Sequence, residues 1–343
     1  MPASLGDFLK QYAGFSNGNL EDLAEGQPVA KTMETAAGDE VALAGAIRIA
    51  VPTDFFLKEF TDIVRFKQGQ SVPEVAKFST PPTLANLAGL HLDKKSLADL
   101  QGCQVGNCNL KLSAKDIERF QKDISWSDPK PYILANRLLR QVLLQRVQDY
   151  LQSGNAGLAD YADKNPPESL SLASGKLLKE STYLSKFAPQ LADCLNSFPK
   201  CDPKIESFLY WSKEEYGNGL KPVISVTQVL IDRVKMGDSD WIWEASKQIY
   251  ADHYSDGSLG VTLMVAAPPE NGKPSFYLIY LNRTRSDSLK GFFAFFIRGI
   301  IRGEARGKLS DQLVRMQTRM QKRWAAASPA GQPSGQVTHS EER

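Results

Sequence analysis

Helix and strand signals are segregated along this chain rather than alternating, and that segregation constrains the fold more than any other feature. From about Thr83 to Pro199 almost every periodic signal is helical, whereas period-two apolar alternation appears before Pro52 and again after Pro199. Alternating strand and helix would dictate a parallel sheet with crossovers. Segregated blocks instead predict an α+β protein with an antiparallel sheet and a separate helical layer. At 343 residues and 42% apolar composition, the chain is long enough to bury a large core.

Residues 1–40 are polar and Gly-rich, with a short helical pattern at Leu5 to Tyr12, and are expected to pack as an N-terminal arm. The clearest strand follows. Val41, Leu43, Ile47, Ile49 and Val51 alternate with Ala42, Ala44, Ala46, Arg48 and Ala50, giving one large apolar face and one small one. Pro52 stops it, Thr53 is the expected N-cap, and Phe55, Phe56, Phe60 and Ile63 have helical spacing. Val72, Val75 and Phe78 suggest another short strand before Pro81-Pro82, so 41–82 reads as the front of an α+β domain.

The helical insertion, 83–200, includes a helix capped by Ser113 and one running from Pro131 to a stop at Gly154. From 201 to 324 the sequence predicts an antiparallel sheet and a C-terminal helix. Its strands are Ser207 to Trp211, Val223 to Ile231 across an Asn218-Gly219 turn, Trp241 to Tyr254, Leu259 to Val265 and Phe276 to Leu281. The closing helix spans about Ser286 to Trp324, with a potential break at Gly303 to Gly307. A Ser-, Pro- and Gly-rich stretch, 325–343, is expected to be disordered.

Four cysteines form two close pairs, Cys103 with Cys108 and Cys194 with Cys201. Two local disulfides and four buried thiols both account for this spacing; structural zinc fits poorly, and neither a metal nor a cofactor is expected. Disulfides would point to an oxidising compartment, yet the opening Met1-Pro2-Ala3-Ser4 lacks the basic and apolar regions of a signal peptide. The expectation is therefore a periplasmic or secreted protein if a leader has been removed, and a cytoplasmic one otherwise. Charge is unevenly placed: Leu281 to Trp324 carries eleven Lys/Arg against three acids, leaving the rest of the chain at −6. Such a separation fits an anionic partner or an internal electrostatic contact.

A lone strand (Val41 onward), a short helix ending near Ile63, then antiparallel strands from Ser207 and a final helix to Trp324 follow an order that resembles the helix-grip fold of the START and Bet v 1-like superfamily. The resemblance lies in the order of elements and covers about half the chain. It implies a curved antiparallel sheet gripping a long C-terminal helix around an apolar cavity, with a large all-helical block inserted. It also implies binding or transport of a hydrophobic or lipid-like molecule, without catalysis in most members.

On that reading Trp211, Trp243, Tyr254, Tyr280, Phe292 and Phe296 are the candidate ligand-binding residues. The group Tyr210, Trp211, Ser212, Lys213, Glu214 and Glu215 fits either a cavity mouth or a solvated strand end. A cyclase- or hydrolase-like alternative would use His253, Tyr254 and Asp256, although no nucleophile motif, P-loop or dinucleotide fingerprint accompanies them. A third reading uses Arg298, Arg302 and Arg306, at four-residue spacing beside Phe292 to Ile301, to contact an anionic membrane surface. Nucleic acid is the weakest partner, because basic residues alone supply no recognition fold.

Overall fold

The computed structural model describes residues 3–217, 219–237, 239–286 and 294–327, the last segment as backbone alone up to residue 302. Two helices, α1 (Ala3–Ala13) and α2 (Asn17–Ala24), precede β1 (Val29–Met33) and β2 (Glu40–Ile49). Next come α3 (Thr53–Thr61), α4 (Ile63–Lys67) and β3 (Glu74–Lys77). A helical block follows: α5 (Lys94–Gln101), α6 (Ala114–Asp123), α7 (Pro131–Ser153), α8 (Leu170–Glu180), α9 (Thr182–Phe187) and α10 (Pro189–Ser197). A meander of β4 (Glu206–Glu214), β5 (Val223–Met236), β6 (Ser239–Ala251), β7 (Gly257–Glu270) and β8 (Lys273–Arg285) leads to α11 (Ala294–Ala327).

All eight strands form one curved antiparallel sheet in the order β1-β2-β8-β7-β6-β5-β4-β3. The early strand β2 is therefore zipped along its length to the last strand, from Glu40 opposite Arg285 to Ile49 opposite Phe276. The α+β class and the antiparallel sheet follow the sequence expectation.

The sheet is buried on both faces. Its front face carries Ile47, Ile49, Val229, Ile231, Ile242, Met264, Phe276 and Leu278, packed against Phe56 and Leu57 of α3 and Leu309, Leu313 and Met320 of α11. Its back face meets α1 and the helical block. The small residues Ala42, Ala44 and Ala46 share a core there with Leu5, Phe8 and Leu9 of α1 and with Trp241 and Trp243. Farther along, Leu209, Trp211, Val226 and Tyr250 meet α5, α6 and α7.

Pinning contacts hold the block to this back face. Trp211 Nε1 donates to Asn86 O at 2.8 Å, Lys111 N to Asp252 O at 2.8 Å, and Ala251 N to Tyr161 OH at 3.0 Å. A buried ion pair joins them, with Lys111 Nζ 2.6 Å from Asp256, while Arg146, 2.8 Å from Asp116, ties α7 to α6 within the block. The inserted helices thus cover the face opposite α11.

Several local expectations are corrected. Pro52, not Thr53, occupies the N-cap of α3 and supplies no side-chain cap. The arm contributes an edge strand, β1, whose five residues were too few to show a period. The last helix runs unbroken through Gly303 and Gly307; two glycines each cost about 1 kcal/mol in a helix, and the packing of Leu309, Leu313 and Met320 holds the helix in place. The disordered stretch expected at 325–343 lies outside the described residues from 328 onward.

Both cysteine pairs are disulfides, Cys103–Cys108 and Cys194–Cys201, each closing a short loop in the region between β3 and β4. The charge asymmetry is used in part internally: Arg283 lies 2.5 Å from Glu40, Arg285 2.6 Å from Asp39, and Arg323 2.5 Å from Glu59.

Candidate functional site

Along the front face the side chains change in size and polarity. One end bears the large apolar residues already named. The other bears Ser212, Ser225, Thr227, Ser246, Gly260 and Thr262, brought side by side by the register: Ser212 opposite Ser225, Ser246 opposite Gly260 and Thr262 opposite Glu244. Small side chains make a shallow floor, and the boundary is filled by ionisable and phenolic groups.

Lys67, the last residue of α4, reaches over this boundary. Its Nζ donates to Glu214 Oε1 at 2.7 Å and to Tyr210 OH at 3.3 Å. Ser212 Oγ donates to the same Glu214 oxygen at 3.0 Å, and Tyr216 OH donates to the other at 3.3 Å. Burial alone would lower the pKa of Lys67, but Tyr210 and Glu214 outweigh it and the ammonium form is favoured. Burial would likewise raise Glu214, yet Lys67 and the hydroxyl donors hold it below its ordinary range.

Glu244 differs. It is 2% exposed and takes hydrogen bonds from Ser246 Oγ and from the hydroxyl and backbone of Thr262. Desolvation pushes its carboxyl up to about 7, outweighing the hydrogen bonds from Ser246 and Thr262 and the charge of Lys67. Tyr280 leans across Gly260, where a Cβ would stand 3.2 Å from its hydroxyl, and burial followed by the charge of Glu244 raises its phenol. The site thus combines a fixed ion pair, a carboxyl able to exchange a proton near neutrality, and tyrosine donors on a shallow polar floor.

Strand parity sorts the sequence candidates. Of the group at 210–215, Tyr210, Ser212 and Glu214 face this site, whereas Trp211 and Lys213 face the helical block. Of the proposed ligand-binding residues Tyr280 alone is placed here. Trp211 and Trp243 lie on the back face, Trp243 within an aromatic cluster with Phe8, Tyr183, Phe187 and Trp241. Tyr254 lies in the β6–β7 turn, 36% exposed, accepting from Lys221 N at 2.9 Å. Phe292 lies outside the described residues, and the side chains of Phe296, Arg298 and Arg302 are not described.

The candidates for catalysis do not share a site facing a ligand. His253 Nδ1 is 3.0 Å from Asp252, Asp256 pairs with Lys111 of the block, and Tyr254 turns toward the start of β5. The Lys111–Asp256 pair fastens the β6–β7 turn to the helical block, whereas the contacts of His253 and Tyr254 stay within the sheet and its turns. Arg306 is exposed on α11, where Glu304 and Asp311 are interspersed with Lys308 and Arg315. Among the described residues no helix is long and apolar enough to cross a membrane, and no group of three or more His, Cys, Asp or Glu could hold a metal ion.

Sequence reasoning missed Lys67, Glu244, Ser246 and Thr262. One signal was present: Glu244 shares its strand face with Ile242, so an acid fell on a face destined for the core. Lys67 and Tyr216 reach the site from separate elements, which no periodicity reveals. No protein-family model matches the sequence, and no curated protein matches it either.

Proposed function

We propose that this chain is a helix-grip binding protein that holds an amphipathic, lipid-like molecule between the front face of the sheet and the first half of α11. The order of elements supports the fold reading. After α1, α2 and the edge strand β1, which departs from the helix-grip order, come β2, two short helices, the edge strand β3, and, beyond the helical block, a five-strand meander and a terminal helix, with β2 closing onto β8 and α11 across the front. The 83–200 region is then an insertion that thickens the back of the sheet.

The observation that carries the ligand reading is the division of the front face. From Leu309 onward α11 sits directly on the sheet: at Gly45 a Cβ would be 2.9 Å from both Leu309 and Leu313. No ligand fits there. At the other end the sheet is floored by serine, threonine and glycine, and Glu244, Tyr280 and the Lys67–Glu214 pair are held away from water. Burying such groups costs several kcal/mol, a cost that recognition of a polar head group would justify. The ligand's apolar portion would run beneath the first turns of α11.

Native mass spectrometry of the purified chain, followed by organic extraction, tests this. A stoichiometric amphipathic adduct that is lost in Ser246→Leu, where the shallow floor is filled, supports the reading. An empty protein that also fails to bind cis-parinaric acid would sink it. Binding only to anionic liposomes, weakening with salt, would shift the reading to a membrane-surface role for α11.

A further inference from the structure

On the back face, away from that site, Lys247 of β6 is buried beneath the helical block. Its Nζ donates to Asn155 Oδ1 and stands 3.4 Å from Tyr150 OH, with the Tyr150 ring centroid 5.1 Å away. Tyr150 OH in turn donates to Gln228 Oε1 at 2.5 Å. No carboxylate among the described residues lies within ion-pair distance of Lys247, in contrast to Lys67, Lys111, Lys213 and Lys221. Desolvation lowers its amine to about 7, so a large share is uncharged and nucleophilic at neutral pH.

The amine lines a pocket of about 20 Å³ with Asn155, Ser174, Leu178, Asn196 and Leu259. Such a volume holds about one ordered water, so only the smallest aldehydes could be accommodated beside the amine. A structural lysine would ordinarily be paired with an acid or reach the surface. Here it is neither, and a phenol that burial keeps protonated stands beside it.

We propose that Lys247 is a reactive amine that condenses with a small aldehyde to form a Schiff base in this pocket. The Nζ lone pair attacks the carbonyl carbon, forming the C–N bond while the carbonyl π pair moves to oxygen and is protonated. The carbinolamine then expels that oxygen as water, and the nitrogen loses its remaining proton on reaching the neutral imine. One amine and one aldehyde give one imine and one water, with no oxidant or reductant consumed.

The test is acetaldehyde with cyanoborohydride, which traps the imine as an N-ethyl amine, on the full chain at pH 7, followed by peptide mass mapping. An exposed lysine has about a thousandth of its amine uncharged at that pH, so labelling at Lys247 should exceed the mean of exposed lysines by about tenfold or more. Benzaldehyde, too large for the pocket, should label exposed lysines and spare Lys247. Lys247 left unlabelled, or labelled no faster than exposed lysines, would overturn the proposal; because the wild-type readout is position-resolved, the result does not depend on a variant folding.

Discussion

Glu244 and Lys247 sit three residues apart on β6 and face opposite sides of the sheet, yet each is buried without a counter-charge in direct contact. Their effects on stability run in opposite directions with pH. The folded carboxyl of Glu244 keeps its proton up to about 7, whereas an unfolded glutamate loses it near its ordinary 4.5. The folded state therefore binds the extra proton, and stability from this group falls as pH rises from about 4.5 to 7, by on the order of 3 kcal/mol. Glu244→Gln should remove that slope and raise Tm relative to wild type at pH 8 but not at pH 4.5; equal shifts at both values would refute the assignment. For Lys247 the unfolded amine binds the extra proton between about 7 and 10.5, so its contribution improves as pH rises through that window. Lys247→Met should accordingly stabilise most at pH 7 and below, measured by thermal melts across pH 6 to 10.

At the scale of elements, the contact between α11 and β2 depends on one missing side chain. Gly45→Ala would press a methyl group against Leu309 and Leu313, both buried, at a cost of about 1–3 kcal/mol. Chemical denaturation should show it as a lower midpoint with an unchanged slope. The two disulfides close loops with sequence separations of 5 and 7. The chain-entropy relation gives each about 2 kcal/mol, so Cys194→Ala/Cys201→Ala should lower Tm by a few degrees without loss of the far-ultraviolet signal.

The elements were the part most legible in the sequence. The alternation at Val41 to Val51 marked a strand buried on two unlike faces, Ser113 marked the start of α6 and Gly154, at φ +57°, the end of α7. The site was less legible. Facing is set by parity only after pairing is known, which is why Trp211 and Tyr210, adjacent in sequence, ended on opposite sides. Trp211 and Trp243 gave a strong apolar signal and went to the closed back core, whereas the shallow floor is made of serine, threonine and glycine, residues that read as turns in an isolated sequence.

Across the whole molecule, the helical block is attached through the β6–β7 turn and the buried Lys111–Asp256 pair. Lys111→Met leaves acids buried among their remaining contacts and should cost about 3–5 kcal/mol. Limited proteolysis should then cut first within 83–200; unchanged protection of that region would show the apolar contacts suffice. The same attachment explains why Asp256, promising as an isolated residue, acts as a fastener.

The pairing of β2 with β8 has a temporal consequence. As the chain emerges from the ribosome, β2 can pair on one edge with β1, but its other edge must wait for β8, more than two hundred residues later, while the block and the β4–β7 meander have neighbours close at hand. Contacts this distant in sequence close late and slowly. During that interval the alternating apolar edge at Val41 to Ile49 is open to other chains, so the nascent protein is most exposed to misassembly through the strand that later closes its sheet.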